Sequence, residues 1–196
     1  MEEMNIEETK NEFKTRAFQD ELFDWAQNIA IILSVVVLVF IFVVRVIGVE
    51  GDSMRETLHN GDWMLISNLF YEPSYGDIVV LKKNEFMEQP IVKRIIATEG
   101  QTVDIDFTTG VVSVDGKPLK ESYTAEPTYR QFDTNFPATV PKGCVFVMGD
   151  NRNHSSDSRV SSLGMVDERY ILGRLLFRIL PLNAFGTVKQ DYETVG

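Results

Sequence analysis

The hydrophobic positions of this chain are concentrated in one run near its beginning. From Ile29 to Val44 every residue is apolar except Ser34. An amphipathic helix at a protein surface would show a polar stripe, and this run has none. As a helix, the stretch over 25–47 would span roughly 34 Å, enough for a hydrocarbon core of about 30 Å. The pattern therefore predicts a transmembrane helix over residues 25–48, preceded by a more polar segment, 1–24.

A cleaved secretory signal is the main alternative to a retained anchor. Such a signal begins with a short basic stretch and ends in a small-residue cleavage site. Here 24 residues holding eight acids precede the run, and no Ala-x-Ala follows it. The segment is therefore predicted to remain as an anchor. Three basic residues lie before it, and Arg45 and Arg55 follow, which slightly favours an N-terminus on the cytoplasmic side.

Beyond Gly48 the pattern changes to short runs of branched and aromatic residues, separated by Gly-Asp and Asn-Gly turns. Such runs are typical of strands, and long helical periodicity is missing there. Residues 49–196 are therefore predicted to form a mostly β, antiparallel, partly barrel-like domain behind the single transmembrane helix. About 107–141 is predicted to be a surface excursion or a small second lobe. The predicted strands are 63–66, 78–81, 91–97, 103–107, 111–114, 144–148 and 171–179.

Composition and charge exclude several classes of function. The chain has 29 acidic and 19 basic residues, a net charge of -10, which argues against a nucleic-acid partner. One cysteine, Cys144, excludes an internal disulfide framework and a multi-cysteine zinc site. Two histidines, His59 and His154, leave too few ligands for a metal-dependent hydrolase. We expect neither a metal nor another cofactor.

Three segments of the chain carry candidate chemistry, and the first closely follows the anchor. Ser53 stands behind the Gly51–Asp52 turn. A serine in this place can present its Oγ and its own backbone N–H on the same side, which suits a nucleophile with an oxyanion donor. Most Gly-x-Ser turns are only turns, so the motif alone does not separate the two interpretations.

The second segment is the predicted strand 91–97, which contains Lys93 and Arg94 among branched apolar residues. Strand alternation puts these two side chains on opposite faces, so one of them has apolar neighbours. Burial lowers the pKa of a lysine, and a neutral lysine is a competent general base, whereas an arginine is not. An edge strand whose Lys93 extends to water is equally compatible with the pattern.

The third segment, 149–159, follows a predicted strand and contains hydroxyls, acids, amides and arginines in close succession. A polar loop of this density is either a hydrogen-bonded structural knot or the wall of an active site. Asp157 could pair with Arg159, and Ser155 could hold a base in place. His154 could belong to a Ser-His-Asp set, but Lys93 has the more desolvated setting.

In this order, behind an N-terminal anchor, the three segments resemble the bacterial type I signal peptidases, in their compact, single-anchor form. The family's Ser-Met-x-Pro-Thr-Leu motif matches 53–58 except at Glu56. A Gly-Asp before a strand follows at 61–62, and the Lys-Arg-Ile strand motif begins at Lys93. The Gly-Asp-Asn-Arg and Ser-x-Asp-Ser-Arg motifs are complete within 149–159. The likeness covers almost the whole chain after Trp25.

The resemblance implies a membrane-bound serine endopeptidase that removes signal peptides from secreted preproteins after Ala-x-Ala. Ser53 would be the nucleophile and Lys93 the general base, with no metal or other cofactor. The partners would be signal-peptide-bearing preproteins and the lipid bilayer, and not nucleic acid. The protein would lie in the cell membrane with 1–24 in the cytoplasm and 49–196 outside it.

The resemblance also assigns supporting and substrate-binding residues. Ser155 would orient the Lys93 amine, Asp157 and Arg159 would brace that wall with a salt bridge, and Asp150 would add hydrogen bonds. The substrate pockets, small and apolar, would be formed at the family's pocket positions, which here are Val49, Met54, Leu58, Ile91 and Val92.

The sequence departs from the family pattern at three places. Glu56 replaces a proline, which removes a fixed φ and adds a charge near the site. Gly51 stands where some relatives have a serine that supplies a second oxyanion donor, so its backbone or another group must serve. Residues 97–100 replace a Gly-x-Pro-Gly turn.

Two other classes remain to be weighed against the peptidase. A Ser-Lys autoprotease of the SOS-repressor type would carry a DNA-binding domain, and here a membrane segment and a negative charge stand in its place. A non-catalytic, membrane-anchored assembly chaperone of the same fold would be marked by the loss of the nucleophile or the base. Ser53 and Lys93 are both present, so the peptidase is the favoured hypothesis.

Overall fold

The computed structural model describes residues 2–188 and separates into two compact units, of which the first ends at Val43. The first unit is helix α1 (Glu2–Phe42). Its segment Glu21–Phe40 is long and apolar enough to cross a membrane, and its side chains are exposed. A helix with an apolar surface all round is compatible with a transmembrane anchor.

The helix ends earlier than the apolar run predicts. The prediction extends a helix to residue 48, but α1 stops at Phe42 and strand β1 (Arg45–Gly48) follows. β1 pairs antiparallel with β2 (Trp63–Ser67). Val46 and Ile47 are β-branched, and an apolar run does not by itself distinguish a helix from a strand. Residues 45–48 therefore belong to the β domain and not to the helix.

The second unit begins at Val44 and contains eleven strands within the described residues. All of their pairings are antiparallel. The strands after β2 are β3 (Ile78–Leu81), β4 (Ile91–Ala97), β5 (Thr102–Asp106), β6 (Val111–Val114), β7 (Lys117–Pro118), β8 (Ala138–Thr139), β9 (Cys144–Met148), β10 (Val166–Asp167) and β11 (Ile171–Leu180).

Seven of these strands form the main sheet, in the order β1-β2-β11-β3-β4-β9-β10. The long strand β11 lies between β2 and β3, and its register shifts at several points along both neighbours. Such irregularities bend a strand and increase its twist, which curls the sheet. β1 and β10 end the sheet without pairing to each other, so it is a half-barrel. The predicted mostly β, antiparallel, partly barrel-like fold is confirmed.

The second sheet has four strands, in the order β7-β6-β5-β8. Its centre is the antiparallel β5–β6 hairpin, where the sequence predicts strands 103–107 and 111–114. β7 and β8 lie within the predicted excursion, about 107–141, and between them the chain runs without further strands from 119 to 137. This connection (hereafter the strap, 119–137) contacts the polar loop 149–159, as described below.

Strand β4 positions the chemistry because it lies between β3 and β9 and is buried along nearly its whole length. Alternate residues pack into different apolar clusters: Val92 contacts the cluster that includes Val49 and Met54, whereas Ile95 packs with Val79. Lys93 and Arg94, which lie between these apolar residues on β4, are therefore both buried.

Candidate active site

A serine and a lysine that are 40 positions apart in sequence lie in direct contact. Ser53 lies in the loop between β1 and β2, and Lys93 lies in the middle of β4. Lys93 Nζ donates a hydrogen bond of 2.7 Å to Ser53 Oγ and one of 3.1 Å to the Val92 carbonyl. The fold thus brings the predicted nucleophile and the predicted base into direct contact.

The lysine of this pair is buried, with 3% of its surface exposed. Burial lowers the pKa of Lys93 from its ordinary 10.5 to about 8, although the carboxylates of Asp157 and Asp150 oppose the change. A substantial fraction of the amine is therefore neutral near pH 8. A neutral amine has a lone pair, and at 2.7 Å it can accept the Ser53 hydroxyl proton.

Asp150 connects the base strand to the nucleophile loop. Its two carboxylate oxygens accept hydrogen bonds of 2.8 and 2.7 Å from Arg94, the neighbour of Lys93, and both side chains are fully buried. Arg94 also donates to the Gly76 carbonyl at 2.8 Å. The Thr57 hydroxyl, from the loop that carries Ser53, donates to the same carboxylate. A displacement of Asp150 would therefore be transmitted to both halves of the Ser53–Lys93 pair.

The predicted salt bridge of the polar loop is present and buried. Arg159 donates two hydrogen bonds of 2.8 Å to Asp157, and neither side chain is exposed. The same carboxylate accepts a hydrogen bond of 3.1 Å from the Gly149 N–H. Arg159 also donates to the carbonyls of Arg152 and Arg130. The pair therefore fixes the turn at Gly149.

Ser155 lies in this wall but forms no hydrogen bond to Lys93. Its hydroxyl is buried and has no hydrogen-bond partner within the part of the chain that the structure describes. A Cβ added to Gly149 would strike both Ser155 Oγ and the Ser53 carbonyl oxygen, so the wall and the nucleophile loop touch at that glycine. The orienting role of Ser155 stays a prediction.

The predicted substrate-contact residues do not all lie together. Val49, Met54, Leu58 and Val92 pack into one apolar cluster, whereas Ile91 packs against a different one. Val92 and Val49 retain 8% and 4% of their surface exposed, while Met54 and Leu58 at 1% and 0% are core residues. Their roles in substrate binding stay predictions.

The Gly51 backbone is not a free oxyanion donor. Its N–H donates a hydrogen bond of 3.0 Å to Asn60 Oδ1, and its φ is 84°. The Ser53 N–H, in contrast, has no hydrogen-bond partner among the contacts of the described residues. The first donor that the sequence predicts is thus available, and the second must come from elsewhere.

The strap contributes residues that sequence reasoning missed. Glu121 accepts hydrogen bonds of 2.7 and 2.6 Å from Arg152, whose side chain is fully buried. The Tyr123 ring lies 3.9 Å from the guanidinium carbon of Arg94. Burial raises the pKa of Tyr123, so its phenol is neutral. No motif or periodicity marks either strap residue, because their importance arises only from tertiary contacts.

An open cavity of about 620 Å³ lies beside the nucleophile loop. None of the five predicted substrate-contact residues lines it. No three His, Cys, Asp or Glu side chains within residues 2–188 converge as metal ligands. The cavity is lined by Glu56, Thr57, Ser122, Tyr123, Thr124, Ala125, Arg178, Ala184, Thr187 and Val188.

The backbone at Glu56 leads to a first testable prediction. Its φ is 82°, where an L side chain is strained and where proline, with φ near -65°, cannot be placed. We expect Glu56→Pro to lower the free energy of unfolding by more than ~1 kcal/mol, and Glu56→Gly to raise it by up to ~1 kcal/mol. Denaturant unfolding of the full chain in detergent measures both. Glu50→Gly, at an exposed position with ordinary φ, is the control and should be slightly destabilising. Equal stability of the proline and glycine variants would contradict this backbone conformation.

Comparisons with known proteins show which family this chain is similar to. A family model described as "Signal peptidase, peptidase S26" matches residues 22–180. The chain is 38% identical over 174 residues to a probable signal peptidase I-1 of Synechocystis sp., covering 82% of this chain and 85% of the relative. It is 34% identical over 197 residues to signal peptidase I T of Bacillus subtilis, covering 95% of this chain and 100% of that protein.

Among solved structures, a signal peptidase I from Enterococcus faecalis is 29% identical to the chain. That match covers 54% of this chain and 98% of the solved chain, with a TM-score of 0.46. The family match alone extends over most of the chain, and both sequence relatives align over most of their own length. The chain therefore belongs to the S26 signal peptidase family of serine endopeptidases, the enzymes that remove signal peptides.

Proposed function

We propose that this signal peptidase cleaves through a Ser-Lys dyad in which Ser53 is the nucleophile and Lys93 the general base. One observation carries the proposal: the 2.7 Å contact between Lys93 Nζ and Ser53 Oγ, made by a lysine that is almost wholly buried. Burial supplies the neutral amine that a base requires, and the contact supplies the path for the proton.

The first half of the reaction is acylation. Ser53 Oγ attacks the scissile carbonyl carbon while its proton moves to Lys93 Nζ, and the carbonyl oxygen becomes an alkoxide. The Ser53 N–H donates to this alkoxide. The C–N bond then breaks, and the Lys93 ammonium gives its proton to the leaving amine. The signal peptide is left as an ester on Ser53, and the mature protein departs with a new N-terminus.

The second half is deacylation. Neutral Lys93 takes a proton from water as the water oxygen attacks the ester carbon, and the tetrahedral intermediate forms again. When the ester bond breaks, the proton returns from Lys93 to Ser53 Oγ and the signal peptide leaves as a carboxylic acid. The dyad then has its starting protonation, so no outside acid or base is consumed.

For specificity, we propose small apolar pockets that accept alanine at the first and third residues before the cut. Val49 and Val92, the two partly accessible members of their cluster, would contact these side chains, with Met54 and Leu58 behind them. Since these residues are tightly packed, larger side chains would not be accommodated. Ile91 would contribute from the neighbouring position on β4.

We also propose that helix α1 anchors the enzyme, with residues 1–24 in the cytoplasm and the β domain outside it. Ser53 follows the last helical residue, Phe42, by only eleven positions, and signal peptides present their cleavage site just beyond an apolar segment. An apolar sheet face supports contact of the β domain with a lipid surface. Four side chains on β1, β2 and β11 are exposed on this face: Val46, Trp63, Phe177 and Leu180. Trp63 pairs with Leu180, and Val46 and Phe177 both pair with Leu65.

The experiment that tests the proposal uses the full chain in detergent and a labelled precursor that carries an Ala-x-Ala site. We expect cleavage directly after the second alanine, identified by sequencing the new N-terminus, and none with Ser53→Ala. Ser53 is only partly buried, so this variant should keep its fold and its melting temperature. Undiminished cleavage by Ser53→Ala would refute the dyad, whereas precursor binding without cleavage by the unaltered chain would favour the chaperone alternative.

A further inference from the structure

Asn151 contacts the nucleophile loop on both sides of Ser53. Its backbone N–H donates a hydrogen bond of 3.0 Å to the Ser53 carbonyl. Its side-chain amide donates one of 3.0 Å to the Asp52 carbonyl. A carbonyl oxygen only accepts, so the NH₂ end of the amide must face it. One residue of the polar loop therefore fixes the peptide units that precede and follow the nucleophile.

The side chain of Asn151 does not cap the helix that follows it. Asn151 immediately precedes the short 3-10 helix Arg152–His154, but its side chain makes no capping hydrogen bond. An asparagine at that position usually satisfies the N–H groups of its own helix. The amide is directed to the Ser53 loop instead, so local helix geometry does not account for it.

The geometry points to Asn151 as a positioning residue for the oxyanion donor, an inference that rests on the proposed dyad. The Asp52 carbonyl and the Ser53 N–H belong to one trans peptide unit, so they point in opposite directions in one plane. Two donors hold that carbonyl, Asn151 Nδ2 and the Arg55 N–H, each at 3.0 Å. Fixing the carbonyl fixes the direction of the Ser53 N–H, whose partner is then the alkoxide of the substrate.

The hydrogen bond to the carbonyl also has an electronic effect. A donor to the oxygen of an amide withdraws electron density and makes its N–H a stronger donor, since hydrogen-bonded chains polarise one another. The Asn151 amide therefore both aims and strengthens the donor that faces the developing negative charge. This effect is greater in the transition state than in the ground state, so it acts on kcat more than on KM.

The test compares Asn151→Leu, which keeps the size of the side chain but removes the donor, with the unaltered enzyme. We expect kcat to fall about 10- to 100-fold, with KM within about two-fold. A peptide aldehyde ending in Ala-x-Ala should lose affinity by a similar factor. With it, Ser53 Oγ adds to the aldehyde carbon, the proton moves to Lys93, and the aldehyde oxygen becomes the alkoxide. The pH midpoint of kcat/KM should not move, because the Lys93 amine bonds Ser53 and Val92 and not Asn151.

Asn153→Leu is the matched control from the same loop. Its amide bonds the backbone at Pro127, Tyr129 and Arg130, away from the nucleophile. The control should lower the melting temperature while leaving kcat and aldehyde affinity near those of the unaltered enzyme. Asn151→Ala and Asn151→Gln complete the series: the first removes the donor with less bulk, and the second retains an amide and should recover part of kcat.

Three results would overturn the inference: an unchanged kcat in Asn151→Leu and Asn151→Ala, an unchanged aldehyde affinity, or an equal loss of kcat in the Asn153 control. The unaltered enzyme is assayed in the same series. Its failure to cleave the precursor would overturn the proposed function itself, which is thereby distinguished from a failure of the Asn151 inference alone.

Discussion

Replacing Lys93 with methionine is expected to reduce kcat/KM by at least ~10³-fold and, at pH 7, to make the folded protein more stable. Methionine fills similar space and cannot accept a proton, so Ser53 loses its base while the packing of β4 is kept. In the unaltered enzyme kcat/KM should rise with pH and level off above about 8, as Lys93 becomes neutral. The residual rate of the variant should lack that step.

The expected gain in stability also follows from the lowered pKa of Lys93. Below pH 8 Lys93 is charged in both states, and the folded protein bears the cost of a buried ammonium. The difference between 10.5 and about 8 corresponds to about 3 kcal/mol. As pH rises from 8 to 10.5 the folded state loses its proton first, so this cost disappears and the unaltered enzyme gains stability. The advantage of Lys93→Met should therefore be greatest at pH 7 and close to zero above pH 10.5.

Denaturant unfolding of both proteins at pH 7 and pH 10.5 measures this effect, with cleavage assays across the same range. Lys82→Met is the matched control, because Lys82 is exposed at the end of β3. It should change neither stability nor activity. A Lys93→Met variant that cleaves at a normal rate, or one that is less stable than the unaltered enzyme at pH 7, would refute a buried lysine base.

Local sequence patterns mark Ser53 and Lys93 as candidates but leave a structural alternative for each, and only the family resemblance pairs them. A lysine within a run of branched residues is unusual whatever the rest of the chain does, and strand alternation limits where it can point. The turn before Ser53 and the other Gly-Asp turns can likewise be recognised from a few residues of sequence. Strands with clear bounding turns, such as β3 and β9, lie where the pattern places them.

Other features could not be predicted, and for different physical reasons. β1 continues the apolar run of the helix, and only its pairing with β2 makes it a strand. Ser155 forms no hydrogen bond to Lys93, and no sequence pattern encodes the side-chain geometry that decides this. The left-handed φ of Glu56 is imposed by the loop and opposes the preference of the residue itself.

The strap is the clearest case of function determined by tertiary structure. Its sequence is polar and irregular, yet its residues contact the buried arginines behind the site. Glu121 pairs with Arg152, the Tyr123 ring lies over Arg94, and Phe132 lies 5.2 Å from the guanidinium carbon of Arg159. Each arginine also bonds groups of the polar loop. We infer that the strap stabilises this loop.

Glu121→Ala is accordingly expected to lower the free energy of unfolding by about 3–5 kcal/mol. The Arg152 guanidinium is fully buried, and Glu121 accepts two of its hydrogen bonds at 2.7 and 2.6 Å. Without the carboxylate, Arg152 keeps only neutral hydrogen-bond partners within the described residues: the Gly149 carbonyl and the hydroxyls of Thr128 and Tyr123. Arginine does not lose its proton at any working pH, so the buried guanidinium of Arg152 stays charged. Its full desolvation penalty therefore lowers the free energy of unfolding.

A double variant separates loss of the ion pair from loss of packing. Glu121→Ala combined with Arg152→Met removes both charges and should regain most of the lost stability, since an apolar pair has no buried charge to compensate. Arg169→Ala breaks an exposed pair with Asp167, where the arginine side chain is 88% exposed, and should cost well under ~1 kcal/mol. Denaturant unfolding in detergent measures all three. A double variant no more stable than Glu121→Ala would mean that the strap acts through shape alone, because the uncompensated charge would then contribute nothing.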